Sequence, residues 1–294
     1  MNQSDKATVF KRCQYACYAT SLSTAATGNL AALLFLTFRN RYGLSYTQLG
    51  LLVLVNFGTQ LVLDLIFSFY SHKINLPRAV KATPLIMSIG LIVFALLPLV
   101  FPQAVYAGLL FGTILYSAGS GLNEVLTSPT IAAIPSEHSE RMMSRLHSCY
   151  AWGVVLVVVI SAAFLTLAGD EYWYWLAIFF ALIPTGAFVL FCGAKMPPLS
   201  AGGNQNEGKI HYTDKKLLLC VLCIFLGGAS ECTMSQWCSG YLEQALGIPK
   251  LVGDLAGVAV FGVMLGLGRT LYGKFGKHGR HAEHSCRYLC EAYG

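Results

Sequence analysis

Apolar residues fall along this chain in long blocks. Eight of them, at about 13–38, 49–70, 82–101, 103–127, 148–168, 173–194, 215–242 and 252–273, are each predominantly apolar. Each matches the roughly 20 residues that an α-helix needs to cross a hydrocarbon core of about 30 Å. Several blocks are dotted with Gly, Ser and Asn, as in helices that line a cavity rather than face lipid all round. Short turns join some of them, such as Phe101-Pro102-Gln103 and Gly169-Asp170-Glu171. The longer connection at 195–214 is rich in Pro, Gly and Asn and reads as a flexible linker. The pattern predicts an all-α, polytopic membrane protein.

Composition agrees with that reading. Of the 294 residues, 55% are hydrophobic and 12% charged, where a soluble domain carries roughly 25% charged residues. The net charge of +6 is therefore read by location and not as a nucleic-acid footprint. With the N-terminus placed in the cytoplasm, sixteen Lys and Arg fall inside and three, Arg39, Arg41 and Lys250, outside. That is the asymmetry of the positive-inside rule, so a multi-pass protein of the cell membrane with a cytoplasmic N-terminus is expected. No cleavable signal peptide is expected: residues 1–12 are polar and the helix after them is too long for an h-region. Most of the ten cysteines sit in apolar runs, where Cys acts as a small packing residue. There is no P-loop, Rossmann glycine fingerprint or G-x-S-x-G elbow. No metal or cofactor is expected, and nothing fixes the oligomeric state.

The stretch around which the chain is organised is 116–141, YSAGSGLNEVLTSPTIAAIPSEHSER. It carries Glu124 into the fourth span, is expected to leave the membrane at Ser128-Pro129, and continues as a polar loop. An ionisable group at membrane depth marks by default a transport path or a proton relay; the plainer reading is a Glu near a helix end that reaches headgroup water. The small residues before it (Ser117, Gly119, Ser120, Gly121) suit close helix packing in lipid. Asn56, Gln60 and Asp64 recur at i, i+4 and i+8, giving the second span one polar face that must meet protein or water. Asn29, Asn123, Glu231 and Gln236 are further polar groups deep in spans. Trp237 can stack on the apolar face of a sugar, or serve as an ordinary packing aromatic. His147 and Tyr150 begin the fifth span. Arg269 is expected to pair with an acid or to snorkel to the inner surface.

An internal repeat also shows. Tyr42-Gly43-Leu44-Ser45 before the second span is echoed by Leu246-Gly247-Ile248-Pro249 before the eighth, and Phe57-Gly58 by Phe261-Gly262, both at an offset of 204 residues. Two parallel halves joined by a cytoplasmic linker is a transporter plan. From about residue 10 to 277 the chain resembles the major facilitator superfamily, and within it the fucose-permease-like sugar and metabolite porters. Glu124-Val-Leu-Thr-Ser128-Pro129, followed by Pro135-Ser136-Glu137, is similar to the Glu-x-x-x-Asn-Pro run that ends their fourth helix, with Ser128 in place of Asn. Ser71-His-Lys-Ile-Asn75-Leu-Pro-Arg78 resembles a degraded Asp-Lys-x-Gly-x-Arg loop, with Gly273-Lys-Phe-Gly-Lys277 as the better-kept second copy. The seventh span, from Gly227-Gly228-Ala229-Ser230-Glu231 to Ser235-Gln236-Trp237, is similar to that of bacterial sugar-type members.

The resemblance implies an N-terminal six-helix transmembrane bundle (1–194), a cytoplasmic linker (195–214), the first two helices of a C-terminal bundle (215–275) and a polar tail (276–294). It implies a secondary transporter that moves a small polar solute, a sugar or related metabolite, by alternating access, with proton coupling. Glu124 and Asp64 are the expected proton-coupling groups. The first-helix Asp of those relatives is missing here. Asn29, Asn56, Gln60, Asn123, Glu124, Glu231, Gln236 and Trp237 are the expected solute contacts. Complete members have about twelve helices, so a chain truncated after eight is expected. The His- and Cys-bearing tail then reads as a frame-shifted end, a cytoplasmic tail or a zinc site. Two other readings stay open: a non-transporting fragment or membrane scaffold, and an intramembrane enzyme that uses Glu124 and His147.

Overall fold

The computed structural model of the chain describes residues 9–136, 139–199 and 215–275, and among them there is no β-strand. Helix α1 (Lys11–Leu33) bends by 42° into α2 (Phe35–Tyr42), and the pair makes the first span. The bend has a local cause: the Leu34 N–H is shared between the carbonyls of Leu30 and Ala31, each at 3.1 Å, which tightens that turn. There follow α3 (Tyr46–Tyr70), α4 (Leu76–Val100), α5 (Val105–Ala132), α6 (Ser139–Ala168), α7 (Trp173–Cys192) and α8 (Lys215–Leu246). One-turn α9 (Lys250–Gly253) continues through a π-helical turn, Asp254–Ala259, into α10 (Val260–Phe275). Among the described residues seven helices are long and apolar enough to cross a membrane, or eight with the bent pair counted as one span. Eight is the number of apolar blocks in the sequence.

One expected boundary is wrong. The fourth span does not end at Ser128-Pro129, because α5 runs through Pro129 to Ala132. Proline has no N–H for the carbonyl four residues back, but the backbone resumes at once. The Ala133 N–H bonds the Pro129 carbonyl at 3.0 Å, and the Thr130 hydroxyl donates to the Leu126 carbonyl at 2.6 Å. Neighbouring elements and Ser/Thr side chains of this kind are what let spanning helices tolerate an interior proline.

Helix α5 is the hub, and its small residues make it so. A Cβ at Gly112 would stand 2.4 Å from the Phe94 Cα of α4, and one at Gly121 would stand 3.0 Å from the Gln60 Cα of α3. Towards α3, Ser117 donates to Asn56 at 2.6 Å. Towards α1, Ser120 shares a hydrogen bond with Thr27 at 2.6 Å and Asn123 donates to Thr24 at 2.9 Å. At the end of the bundle that carries Gly43, Phe38, Phe94, Tyr116 and Trp173 form an edge-on aromatic cluster, and the buried indole N–H donates to Tyr42 at 3.0 Å. At the Lys11 end, Arg12 donates to the Leu190 and Val189 carbonyls at 3.0 and 3.2 Å, so a cation satisfies the orphan groups closing α7.

The later helices pack on this frame. Gly262 and Gly266 of α10 lie against Val155 and Trp152 of α6. From α8, Gln236 donates to the Gly28 carbonyl of α1 at 2.9 Å, and Trp237 meets Phe35 of α2 with ring centroids 5.4 Å apart. The internal repeat has a backbone counterpart: Gly43 and Gly247 take φ of +66° and +65°, the same left-handed turn before α3 and before α9. A side chain in that region costs about 1–2 kcal/mol. Gly43→Ala and Gly247→Ala are each expected to lower the unfolding midpoint in detergent, and equal midpoints for wild type and variants would show that these turns are not under strain.

Residues 200–214 of the linker expected at 195–214, and the whole tail expected at 276–294 with its zinc reading, lie outside the described residues, as does Glu137.

Candidate functional site

Polar side chains from both stretches of the chain meet midway along their helices. A cavity there is lined by Asn29 of α1, Phe57 and Gln60 of α3, and Ser120 and Glu124 of α5. Tyr150 of α6, Glu231 and Gln236 of α8, and Phe261 of α10 also line it. A second cavity lies towards the Lys11 end and adds Asn123, Thr127, His147 and Arg269. Thr24, Glu124 and Tyr150 line both, so these three side chains stand where one cavity gives way to the next. Glu124 is thus exposed within a span while facing two cavities.

The helices put these groups there for simple reasons. Glu124 follows the Gly and Ser residues that seat α5 against α1, α3 and α4, which aims its side chain into the remaining sector. Phe57 and Phe261, the pair found at the 204-residue offset, line the same cavity. The Ser and Thr residues of α1, with Thr20, Ser21, Ser23, Thr24 and Thr27 all buried, supply hydroxyls where α1 crosses α5 and α6. Of these, Thr24 reaches both cavities. It was not among the residues anticipated, although the hydroxyl-rich run 20–27 was the signal for it. Ser120 and the two phenylalanines were likewise not named as site residues.

The anticipated residues divide by place. Asn29, Gln60, Glu124, Glu231 and Gln236 share the first cavity, and Asn123 joins Glu124 in the second. Asn29 also donates to the Ala25 carbonyl at 2.9 Å and lies within reach of the Tyr150 hydroxyl. Asn56 is buried and lines neither cavity; its carbonyl oxygen accepts from Ser117 and, at 2.9 Å, from Gln60, clasping α3 to α5. Asp64 lines neither cavity, and its Oδ1 is buried without a hydrogen-bond partner, within electrostatic reach of Glu124. Trp237 lies outside both, in a separate apolar recess with Phe35 and Tyr46 at the Gly43 end. Glu124 and His147 share the second cavity, but no hydrogen bond or ion pair between them occurs among the described residues.

The electrostatics are those of an unbalanced acid. Among the described residues the ion pair present is Lys250–Asp254 at 2.7 Å, at the Gly43 end, so neither Glu124 nor Glu231 has a cationic partner. Of the two expectations for Arg269, pairing with an acid does not occur among the described residues; it lines the second cavity and its guanidinium donates to the His147 carbonyl at 3.3 Å. The reason is that no carboxylate reaches it, while the His147 carbonyl on neighbouring α6 does. Such a site can hydrogen-bond hydroxyls through amides and carboxylates, offer aromatic faces, and accept a proton at Glu124. Among the described residues no three His, Cys, Asp or Glu side chains gather as metal ligands.

The fold is similar to two solved structures of a xylose transporter. One is the proton:xylose symporter XylE bound to 6-bromo-6-deoxy-D-glucose, at 12% identity and a TM-score of 0.57, covering 93% of this chain and 55% of that one. The other is the inward-open XylE from E. coli, at 14% identity and a TM-score of 0.56, covering 90% and 66%. The chain therefore spans between about half and two-thirds of these neighbours. No curated protein matches the sequence. The sequence profile of the Major Facilitator Superfamily matches residues 16–282, nearly the whole described chain, and the chain belongs to that superfamily.

Proposed function

We propose that the chain acts in secondary transport, moving a small polar solute by alternating access, with a sugar or related metabolite as the favoured class. The observation that carries this is the mid-membrane cavity in which Glu124, Asn29 and Gln60 face Glu231 and Gln236. Membrane-buried polar groups are costly unless they meet water, protein or a ligand, and amides beside aromatic faces suit a hydroxylated ring. The two structural neighbours are xylose transporters, which favours the same class. Helices α1–α7 form one bundle, with α8 and α10 opening a second, and residues 195–214 join them on the cytoplasmic side. The N-terminus is cytoplasmic in this reading, which the distribution of Lys and Arg supports.

Glu124 is the proton-carrying group in this reading, with Asp64 behind it as a second carboxylate. Asn56 supports Gln60 from the clasp between α3 and α5, and Trp237 acts at the outer approach rather than in the central cavity. The test is uptake of radiolabelled pentoses and hexoses into proteoliposomes containing the full chain, with and without an inward proton gradient. Accumulation above equilibrium only with the gradient is expected. If no solute enters under either condition, the chain is a non-transporting membrane scaffold.

A further inference from the structure

We propose that a groove at the Lys11 end, between α1, α6 and α10, is a binding site for an anionic phospholipid of the adjacent leaflet. The groove shares no lining residue with the two central cavities. Its mouth carries Arg141 and Arg145, one helical turn apart on α6, with Tyr15 and Tyr18 of α1 opposite. Deeper in, Leu22, Cys149 and Trp152 line it, together with the hydroxyls of Ser148 and Thr270. From Arg141 to Trp152 the helix descends about 16 Å at 1.5 Å per residue. That takes the groove from headgroup level into the acyl region, and the gradient from charged to aromatic to apolar follows a lipid from phosphate to chain.

The charge at the mouth is uncompensated. No Asp or Glu lines the groove, and neither arginine makes an ion pair among the described residues. Guanidinium groups bind phosphate oxygens through paired N–H donors, and aromatic side chains are at home at the headgroup level. The wall between α6 and α10 is fixed at two levels: Ser144, beside the arginines, donates to the Arg269 carbonyl at 2.8 Å, and the Trp152 indole N–H donates to Thr270 at 3.2 Å. A lipid seated there touches α1, α6 and α10 at once. It is placed to bridge the two stretches of the chain at the end where the second cavity lies.

Near an anionic surface each Lys or Arg adds about fivefold to the preference for anionic lipid. The pair is therefore expected to enrich phosphatidylglycerol over phosphatidylcholine by more than tenfold in the groove. The full chain is purified from mixed nanodiscs and its retained lipid counted by native mass spectrometry. Wild type is expected to hold phosphatidylglycerol, and an R141Q/R145Q variant to lose it. A K73Q/R78Q variant, which neutralises basic residues off the groove, is expected to keep it. In a chain whose Trp173, Trp175 and Trp237 are replaced by phenylalanine, quenching of Trp152 fluorescence by brominated phosphatidylglycerol, against brominated phosphatidylcholine, reads the same site without a charge substitution. The proposal is overturned if both double variants lose the lipid equally, if the two brominated lipids quench alike, or if inorganic phosphate alone displaces it at millimolar concentration.

Discussion

Glu124→Gln is expected to leave the fold intact and to abolish gradient-driven accumulation of solute. Glutamine keeps the shape and the hydrogen-bonding capacity of the side chain but cannot take up or release a proton. Because Glu124 has no ion pair among the described residues and lines both central cavities, its removal leaves no partner charge stranded. Folding should therefore tolerate the change. A hydrogen bond to a charged group contributes about 1.5–3 kcal/mol, so apparent solute affinity should also fall by roughly 10- to 100-fold. Counterflow exchange, which needs no net proton movement, should persist at high solute concentration. A variant that still concentrates solute against a gradient would show that the proton travels by another group, with Asp64 the first to examine. Glu124→Asp is expected to retain part of the driven uptake, since the carboxylate is kept one methylene shorter.

The second large effect is on stability, at the contact between α4 and α5. An added Cβ at Gly90 would stand 2.2 Å from the Tyr116 backbone nitrogen and 2.6 Å from its Cα. Backbone cannot yield as a flexible side chain can, and Tyr116 is held at 2% exposure against Phe94. Gly90→Ala must therefore push the two helices apart along a line where Gly112 and Gly119 also lie against α4. In lipid there is no hydrophobic gain to recover from the gap that opens, since association there rests on close packing. A loss of about 3 kcal/mol is expected, at the upper end of what overpacking costs. Gly186→Ala on α7, where an added Cβ meets nothing within 4 Å, is the matched control and should shift the midpoint little. Equal unfolding midpoints for the two variants in detergent would contradict the close approach of α4 and α5.

Much of this was legible in the sequence because a bilayer imposes simple demands. A block of about 20 apolar residues has few alternatives to a spanning helix, so the eight spans were apparent before any coordinates. The repeat was visible as two glycines and two phenylalanines at one offset, and both pairs have structural counterparts in matching turns and a shared cavity. Facing was harder to read. Asn56, Gln60 and Asp64 share a helical face, but one clasps α5, one lines the cavity, and one is half-buried, its Oδ1 without a hydrogen-bond partner among the described residues. Periodicity places residues on a face but does not say which neighbour stops where. Pro129 misled for a related reason: a proline ends a helix only when nothing nearby takes over the lost hydrogen bonding. The part played by Thr24 depends on where α1 crosses α5 and α6, which spacing along one helix does not determine.

The central claim is that position 124 faces water inside the protein, shared by helices from both stretches of the chain. A single cysteine introduced there, in a chain whose ten native cysteines are replaced by serine or alanine, tests it directly. The ionised thiolate, which forms readily only where water reaches the sulfur, attacks the thiosulfonate sulfur and expels sulfinate to leave a mixed disulfide. A charged, membrane-impermeant thiosulfonate is expected to label Glu124→Cys, with the rate slowed by transported solute. If that cysteine reacts only with a lipid-soluble maleimide and solute has no effect on the rate, position 124 faces the bilayer and the account is wrong.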